Sequence, residues 1–171
     1  GCTISNNSGG ADIDHESDPV FTGCAISGNL GGIVCSTRCS PVMTNCTITG
    51  NVSFYHAIIF SERDAKPIIK NCIIWDNAGA SIEFDEDSAP QVTYSCVEGD
   101  ELFPGEGNIN ADPLFAGWDE QQEVTVTTQE KLEEVLQNHS FRLTESSPCL
   151  TGGENGTIMG SEKEVAQLRS L

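Results

Sequence analysis

The sequence predicts an all-β solenoid, a chain wound into stacked coils of short strands, and three recurring features predict it. A Cys-x-Ile motif returns every ~22 to 26 residues, a proline precedes it at a nearly constant distance, and a small residue followed by alternating apolar residues comes after it. None of these strands is long enough to bury its own face. Stacked about 4.8 Å apart, however, each has neighbours above and below, and the repeat becomes the unit of stability.

The first marker reads Gly1-Cys2-Thr3-Ile4-Ser5-Asn6-Asn7, Gly23-Cys24-Ala25-Ile26-Ser27-Gly28-Asn29, Asn45-Cys46-Thr47-Ile48-Thr49-Gly50-Asn51 and Asn71-Cys72-Ile73-Ile74-Trp75-Asp76-Asn77, with a degraded copy at Ser95-Cys96-Val97. The steps between the cysteines are about 22, 22, 26 and 24 residues. Because side chains alternate along a strand, Cys and the Ile two residues on share the inward face. Cys2, Cys24, Cys46, Cys72 and Cys96 are therefore expected to form a column, one per coil, as small hydrophobes.

Pro19, Pro41, Pro67 and Pro90 form the second marker and open each coil, since a proline fits the first residue of a strand, where its missing N–H breaks no ladder. The strand after it presents Phe21, Met43 or Ile69. The third marker is Gly10-Ala11-Asp12-Ile13, Gly31-Gly32-Ile33-Val34-Cys35, Ala57-Ile58-Ile59-Phe60 and Ala80-Ser81-Ile82-Glu83-Phe84, a third short strand per coil. At the turns, Asn7, Asn29, Asn51 and Asn77 recur in phase. Asn tolerates left-handed backbone and bonds locally through its amide, so these four are expected to stack as a ladder.

The pattern Pro-x-Ile-x-Asn-Cys-x-Ile-x-x-Asn followed by Gly-Gly-Ile-x-Cys resembles the repeat of bacterial right-handed parallel β-helix proteins, the architecture of the pectate-lyase-like superfamily. Four later segments resemble the end of such helices: Asn71 to Asn77, Val92 to Gly99, Gly107-Asn108-Ile109-Asn110-Ala111-Asp112-Pro113-Leu114-Phe115, and Ser146-Ser147-Pro148-Cys149-Leu150-Thr151-Gly152-Gly153. The resemblance implies a single-stranded right-handed parallel β-helix with three short strands per coil, seen in its C-terminal portion. It leaves function open, because this architecture hosts polysaccharide lyases, glycoside hydrolases and adhesins.

The organisation expected is repeat coils over residues 1–96, then a last coil and capping region over 97–171. Thr127 and Glu130 make a capping box, and Leu132, Val135 and Leu136 recur at helical spacing, which predicts a helix near 128–137 in the cap. Phe141-Arg142-Leu143 reads as a closing strand, and Ser161 to Leu168 as a last short helix. The chain enters mid-motif at Gly1-Cys2, so further coils of the same repeat are expected upstream as its neighbours.

Twenty-six acidic residues against eight basic ones give a formal net charge of −18 and an isoelectric point near 4.2. Such a surface repels phosphate backbones and anionic membranes, which excludes nucleic acid as a partner. No run approaches the ~20 apolar residues of a membrane-spanning helix. Together with the resemblance, this points to a secreted or cell-surface protein.

Carboxylates gathered on one face would be needed to bind Ca²⁺ or to act across a glycosidic bond. The segments before each proline supply candidates: Asp12, Asp14, His15, Glu16 and Asp18 in the first coil, Glu62, Arg63 and Asp64 in the third, Glu83, Asp85, Glu86 and Asp87 in the fourth. Ser36-Thr37-Arg38 interrupts the series in the second coil. Ca²⁺ is the one metal these residues suggest, and no cofactor is called for. Cys35 and Cys39 read as a thiol pair or a small disulfide loop. Of the aromatic residues Trp75, Trp118, Tyr55 and Tyr94, Trp75 should face outward and is the best candidate for stacking on a sugar ring. Of the polygalacturonase-type signatures Asn-Thr-Asp, Asp-Asp, Gly-His-Gly and Arg-Ile-Lys, none occurs. The expectation is a non-catalytic scaffold or binding section of an exported β-helix protein, associated with polysaccharide or another surface. The alternative is the tail of a polysaccharide lyase or glycoside hydrolase whose active coils lie upstream.

Overall fold

The structure, a computed structural model, describes residues 1–116 and 142–161. Its strands are two or three residues long and build three parallel sheets, one strand per coil in each. Sheet A contains β1 (Thr3–Ser5), β4 (Ala25–Ser27), β7 (Thr47–Thr49), β10 (Ile73–Trp75) and β13 (Cys96–Val97). Sheet B contains β2 (Ala11–Ile13), β5 (Ile33–Cys35), β8 (Ile59–Ser61) and β11 (Ile82–Phe84). Sheet C contains β3 (Val20–Thr22), β6 (Val42–Thr44), β9 (Ile68–Lys70) and β12 (Gln91–Thr93). This is an all-β parallel solenoid with three strands per coil. Among the described residues no helix is long and apolar enough to cross a membrane.

Strands this short need sharp corners, and the corners explain the sequence between them. From sheet C to sheet A the chain turns on one left-handed residue: Gly23, Asn45, Asn71 and Tyr94 have φ of 60°, 53°, 52° and 49°. Glycine and asparagine bear that conformation at least cost. From sheet B to sheet C it turns on two consecutive left-handed residues, His15-Glu16, Thr37-Arg38 and Arg63-Asp64. The prolines sit just before sheet C, and their carbonyls accept the next coil's N–H, as in Val42 N–H to Pro19 O at 3.0 Å and Ile68 N–H to Pro41 O at 2.9 Å.

Register puts like on like. Ile4, Ile26, Ile48, Ile74 and Val97 stack in sheet A, and Met43, Ile69 and Val92 in sheet C. With Ile33, Ile59 and the inward cysteines they form the main core. Each fully buried aliphatic side chain is worth roughly 1.5–3 kcal/mol in transfer free energy.

The asparagines run along the corner that leaves sheet A. Asn29 Oδ1 accepts from Asn7 Nδ2 at 2.9 Å, Asn51 Oδ1 from Asn29 Nδ2 at 3.0 Å, and Asn77 Oδ1 from Asn51 Nδ2 at 3.0 Å. The same oxygens accept the backbone N–H of Asn7, Asn29 and Asn51. Asn29 and Asn51 are buried, and their second amide protons reach the Ile4 and Ile26 carbonyls, so no polar atom of this corner is stranded.

The cysteine column departs from the expected one at its last member. Cys24, Cys46 and Cys72 are buried in the main core, with Cys2 exposed in the first coil. Cys96, however, pairs with Ile73 and not with Cys72, so the last step is one residue shorter than the cysteine spacing implies. Ser95 takes the inward place, its hydroxyl accepting the Cys72 N–H at 3.1 Å as the Cys72 sulfur accepts the Cys46 N–H. Cys96 consequently points out of the coil. Cys35 and Cys39 are both buried free thiols, and burial pushes Cys35 up to about 12 and Cys72 well above the ordinary thiol range.

Residues 142–161 return along the outside of sheet A. Gly160 N–H donates to Asn71 O at 2.7 Å, Ser161 N–H to Thr47 Oγ1 at 3.0 Å, and Ser161 Oγ to Gly23 O at 3.0 Å. Glu154 N–H meets Asn71 Oδ1 at 2.9 Å, and its carboxylate pairs with Lys70 at 2.8 Å. Beneath this segment lies a second core of Ile73, Cys96, Phe115, Leu143, Cys149 and Met159. Leu143, expected in a closing strand, bridges antiparallel to Phe115. The helices expected near 128–137 and after Ser161 fall outside the described residues.

Candidate functional site

The acidic residues before each proline stack along the corner from sheet B to sheet C, but they do not converge. Asp14 contacts His15 at 2.8 Å, and a hydrogen bond from Thr37 followed by the His15 N–H holds its carboxyl below the usual range. Glu16 pairs with Arg38, Glu62 with Arg63 at 3.2 Å, and Asp64 with Lys66. Asp85 accepts the Arg63 N–H at 2.8 Å, which lowers its pKa. Each of these five carboxylates thus has its own local partner. Among the described residues no group of three or more His, Cys, Asp or Glu side chains is placed to hold a metal ion.

Asp12 and Glu83 lie on the outward face of sheet B, at opposite ends of the row Asp12, Val34, Phe60, Glu83. Three coil steps of about 4.8 Å separate them by roughly 14 Å, too far for a glycosidic acid–base pair at about 5–9.5 Å.

Trp75 does point outward, yet its ring is not free. It is partly buried against the second core, under the returning segment. Strand alternation fixes only which side of the coil a residue faces. Trp118 lies outside the described residues.

What sheet A loses to the return segment, sheet B keeps. The loop between β7 and β8 is four residues longer than the one between β4 and β5, which makes the third coil a 26-residue one. The loop carries Phe54, Tyr55 and His56. Phe54 is 71% exposed and Tyr55 91%, the most exposed large hydrophobic residues among those described. His56 lies flat on Phe60 in the middle of the sheet B row, with ring centroids 4.3 Å apart and planes at 17°. The loop that enters sheet B at β8 thus exposes two aromatic side chains just before the His56–Phe60 stack, on a sheet face whose other outward positions are Asp12, Val34 and Glu83. From the sequence, His56 is an ordinary surface histidine and Phe60 a residue of the third strand marker, while Phe54 belongs to no motif. The signal present was the long third step, whose extra residues are aromatic.

A second feature sits where the last coil closes. Asp76, in left-handed conformation after β10, donates its N–H to Glu98 at 2.6 Å. Burial, with Glu98 and Asp112 adding repulsion, pushes its carboxyl up to about 6. Next to it opens a shallow cleft of about 490 Å³ whose walls include Asn77, Ser81, Ile82, Glu98, Asp100 and Phe103.

Parallel coils, one-residue corners and the stacked asparagines define the class: a parallel β-helix. Residues 1–101 match the family model described as a right handed beta helix region, and the chain belongs to that family. No curated protein and no solved structure matches it.

Proposed function

We propose that this chain is a non-catalytic binding and scaffold section of an exported, surface-associated β-helix protein, and that it holds polysaccharide on the outer face of sheet B. The observation that carries this reading is the exposed ridge of Phe54 and Tyr55 beside the stacked His56–Phe60 pair. Flat rings with a polar edge are what a pyranose face stacks on, and Asp12 and Glu83 flank the ridge as hydrogen-bond acceptors for sugar hydroxyls. A charge of −18 repels polyuronates, so the ligand class is a neutral or amine-bearing polysaccharide. The role calls for no Ca²⁺ at the acidic corner, where Asp14, Glu16, Glu62, Asp64 and Asp85 already have partners.

A glycan array run with and without Ca²⁺ tests the reading. Neutral or amino-sugar glycans should be retained equally in both conditions, and Tyr55→Ala should weaken them about tenfold, on the scale of one lost aromatic contact. Absence of any glycan binding, or binding indifferent to Tyr55 and Phe54, would overturn it.

The enzymatic reading, a polysaccharide lyase or glycoside hydrolase, has one observation in its favour: the carboxyl of Asp76, held near 6 beside Glu98, lies in the range that suits a general acid. It predicts release of reducing or unsaturated ends that Asp76→Asn abolishes.

A further inference from the structure

We propose that Cys96 and Cys149 form a disulfide that staples the returning segment onto the outer face of sheet A. The pair is set apart from the other cysteines by its place. Cys24, Cys46 and Cys72 occupy the inside of the coils, each above the last in the same strand position, where they serve as core. Cys96 is turned outward by the one-residue shift in register, and Cys149 comes from the return segment, in the 3-10 turn Pro148–Leu150. Both are fully buried in the second core, where the Cys96 thiol donates to Ala111 O at 3.1 Å and each thiol is near enough to the other to perturb its acidity.

The backbone around Cys149 is fixed from both sides. Ser147 Oγ accepts its N–H at 3.2 Å, and its carbonyl accepts from Met159 at 2.9 Å. A bond here would close a loop of about fifty residues, a length at which a cross-link removes much of the freedom of the unfolded chain. It would also anchor a segment that the second core, a handful of hydrogen bonds and one ion pair otherwise hold against the coils.

With a low-molecular-weight disulfide as oxidant, the Cys96 thiolate attacks one of its sulfurs and expels a thiolate, leaving a mixed disulfide. Cys149 then gives its proton to water and attacks Cys96 Sγ, expelling the second thiolate. Two protein thiols are oxidised to one disulfide, and one oxidant disulfide is reduced to two thiols. Since both sulfurs are covered once the segment is seated, the exchange proceeds as the chain folds.

The test is to refold the full chain in oxidised and reduced glutathione, alkylate under denaturing conditions without reductant, and map cysteines by mass spectrometry. The expected result is one internal cross-link joining the Cys96 and Cys149 peptides, with Cys24, Cys46 and Cys72 alkylated. The thermal midpoint of the oxidised wild type should exceed that of its reduced form by about 10 °C, and Cys149→Ser should lose this reductant dependence. Full alkylation of Cys96 and Cys149, or a link from either to another cysteine, would overturn the proposal. If Cys149→Ser fails to fold, the wild-type peptide map decides alone.

Discussion

Sheets A and B are made of the same three-residue strands with the same alternation, yet their outer faces have opposite fates. On sheet A the outward residues Thr47, Ile73 and Cys96 are as buried as the inward ones, because the segment from Arg142 to Ser161 lies across them. On sheet B the outward row of Asp12, Val34, Phe60 and Glu83 carries no such cover among the described residues, and the long third-coil loop adds exposed aromatic side chains. Facing out of a coil and facing water are therefore separate properties. One follows from local alternation, the other from whether a distant part of the chain comes back.

If this contrast is right, truncations on the two faces of β10 should hurt alike. Ile74→Ala removes a side chain inside the coils and should cost about 2–5 kcal/mol; Ile73→Ala, outward but covered, should fall in the same range. Chemical denaturation of both variants checks this, and a cost near zero at Ile73 would mean that the return segment does not seat in solution.

The seating can be attacked from the other side. Gly160 has φ of +86°, and a Cβ there would lie 2.8 Å from both Ile73 Cδ1 and Thr47 Oγ1. Gly160→Ala should therefore lose about 1–3 kcal/mol and raise amide exchange in residues 142–161 before it does so in the coils. Hydrogen-exchange mass spectrometry separates that pattern from general loosening.

A smaller effect tests the electrostatics at the junction of the two cores. The folded protein holds the Asp76 proton up to pH about 6, whereas the unfolded chain releases it near 3.8, so stability falls as pH rises between these values. The penalty is fully present at pH 7. Asp76→Asn should stabilise by about 1–2 kcal/mol at pH 7, once solvent screening is allowed for, and by nothing at pH 3.5. Equal effects at both pH values would assign the gain to backbone preference at this left-handed residue.

Smallest of all should be changes where nothing is packed or paired. Ser61 occupies an inward place between Cys35 and Phe84 with a buried hydroxyl that has no hydrogen-bond partner, so Ser61→Ala should be neutral or slightly stabilising. Tyr55→Ala on the open side of sheet B should change stability by less than about 0.5 kcal/mol. A large loss at Tyr55 would show that the ridge is covered after all.

The coil architecture could be read from the sequence because a solenoid repeats its local rules: Pro before sheet C, Cys-x-Ile in sheet A and Asn at the corner each appear in register, and each has a local physical cause. The register of the fifth copy could not. Cys96 fits the spacing of the column by eye, but hydrogen bonding selects Ser95 for the inward place, and one residue of shift sends Cys96 to the opposite face. Trp75 shows the same limit, since its outward direction followed from alternation while its burial did not. The aromatic ridge lay hidden for another reason: Phe54 and Tyr55 belong to an insertion, which a search for the repeat passes over.

By itself the sequence determined that the chain coils and, for the first four coils, how many residues each takes and which side chains face the interior, because strand alternation, proline geometry and left-handed asparagine and glycine act within a few residues. Only the tertiary structure decided which outer face becomes a second core and which stays open, and which two cysteines meet. Those outcomes rest on contacts such as Ser161 with Gly23, between residues 138 positions apart, and no local preference encodes them.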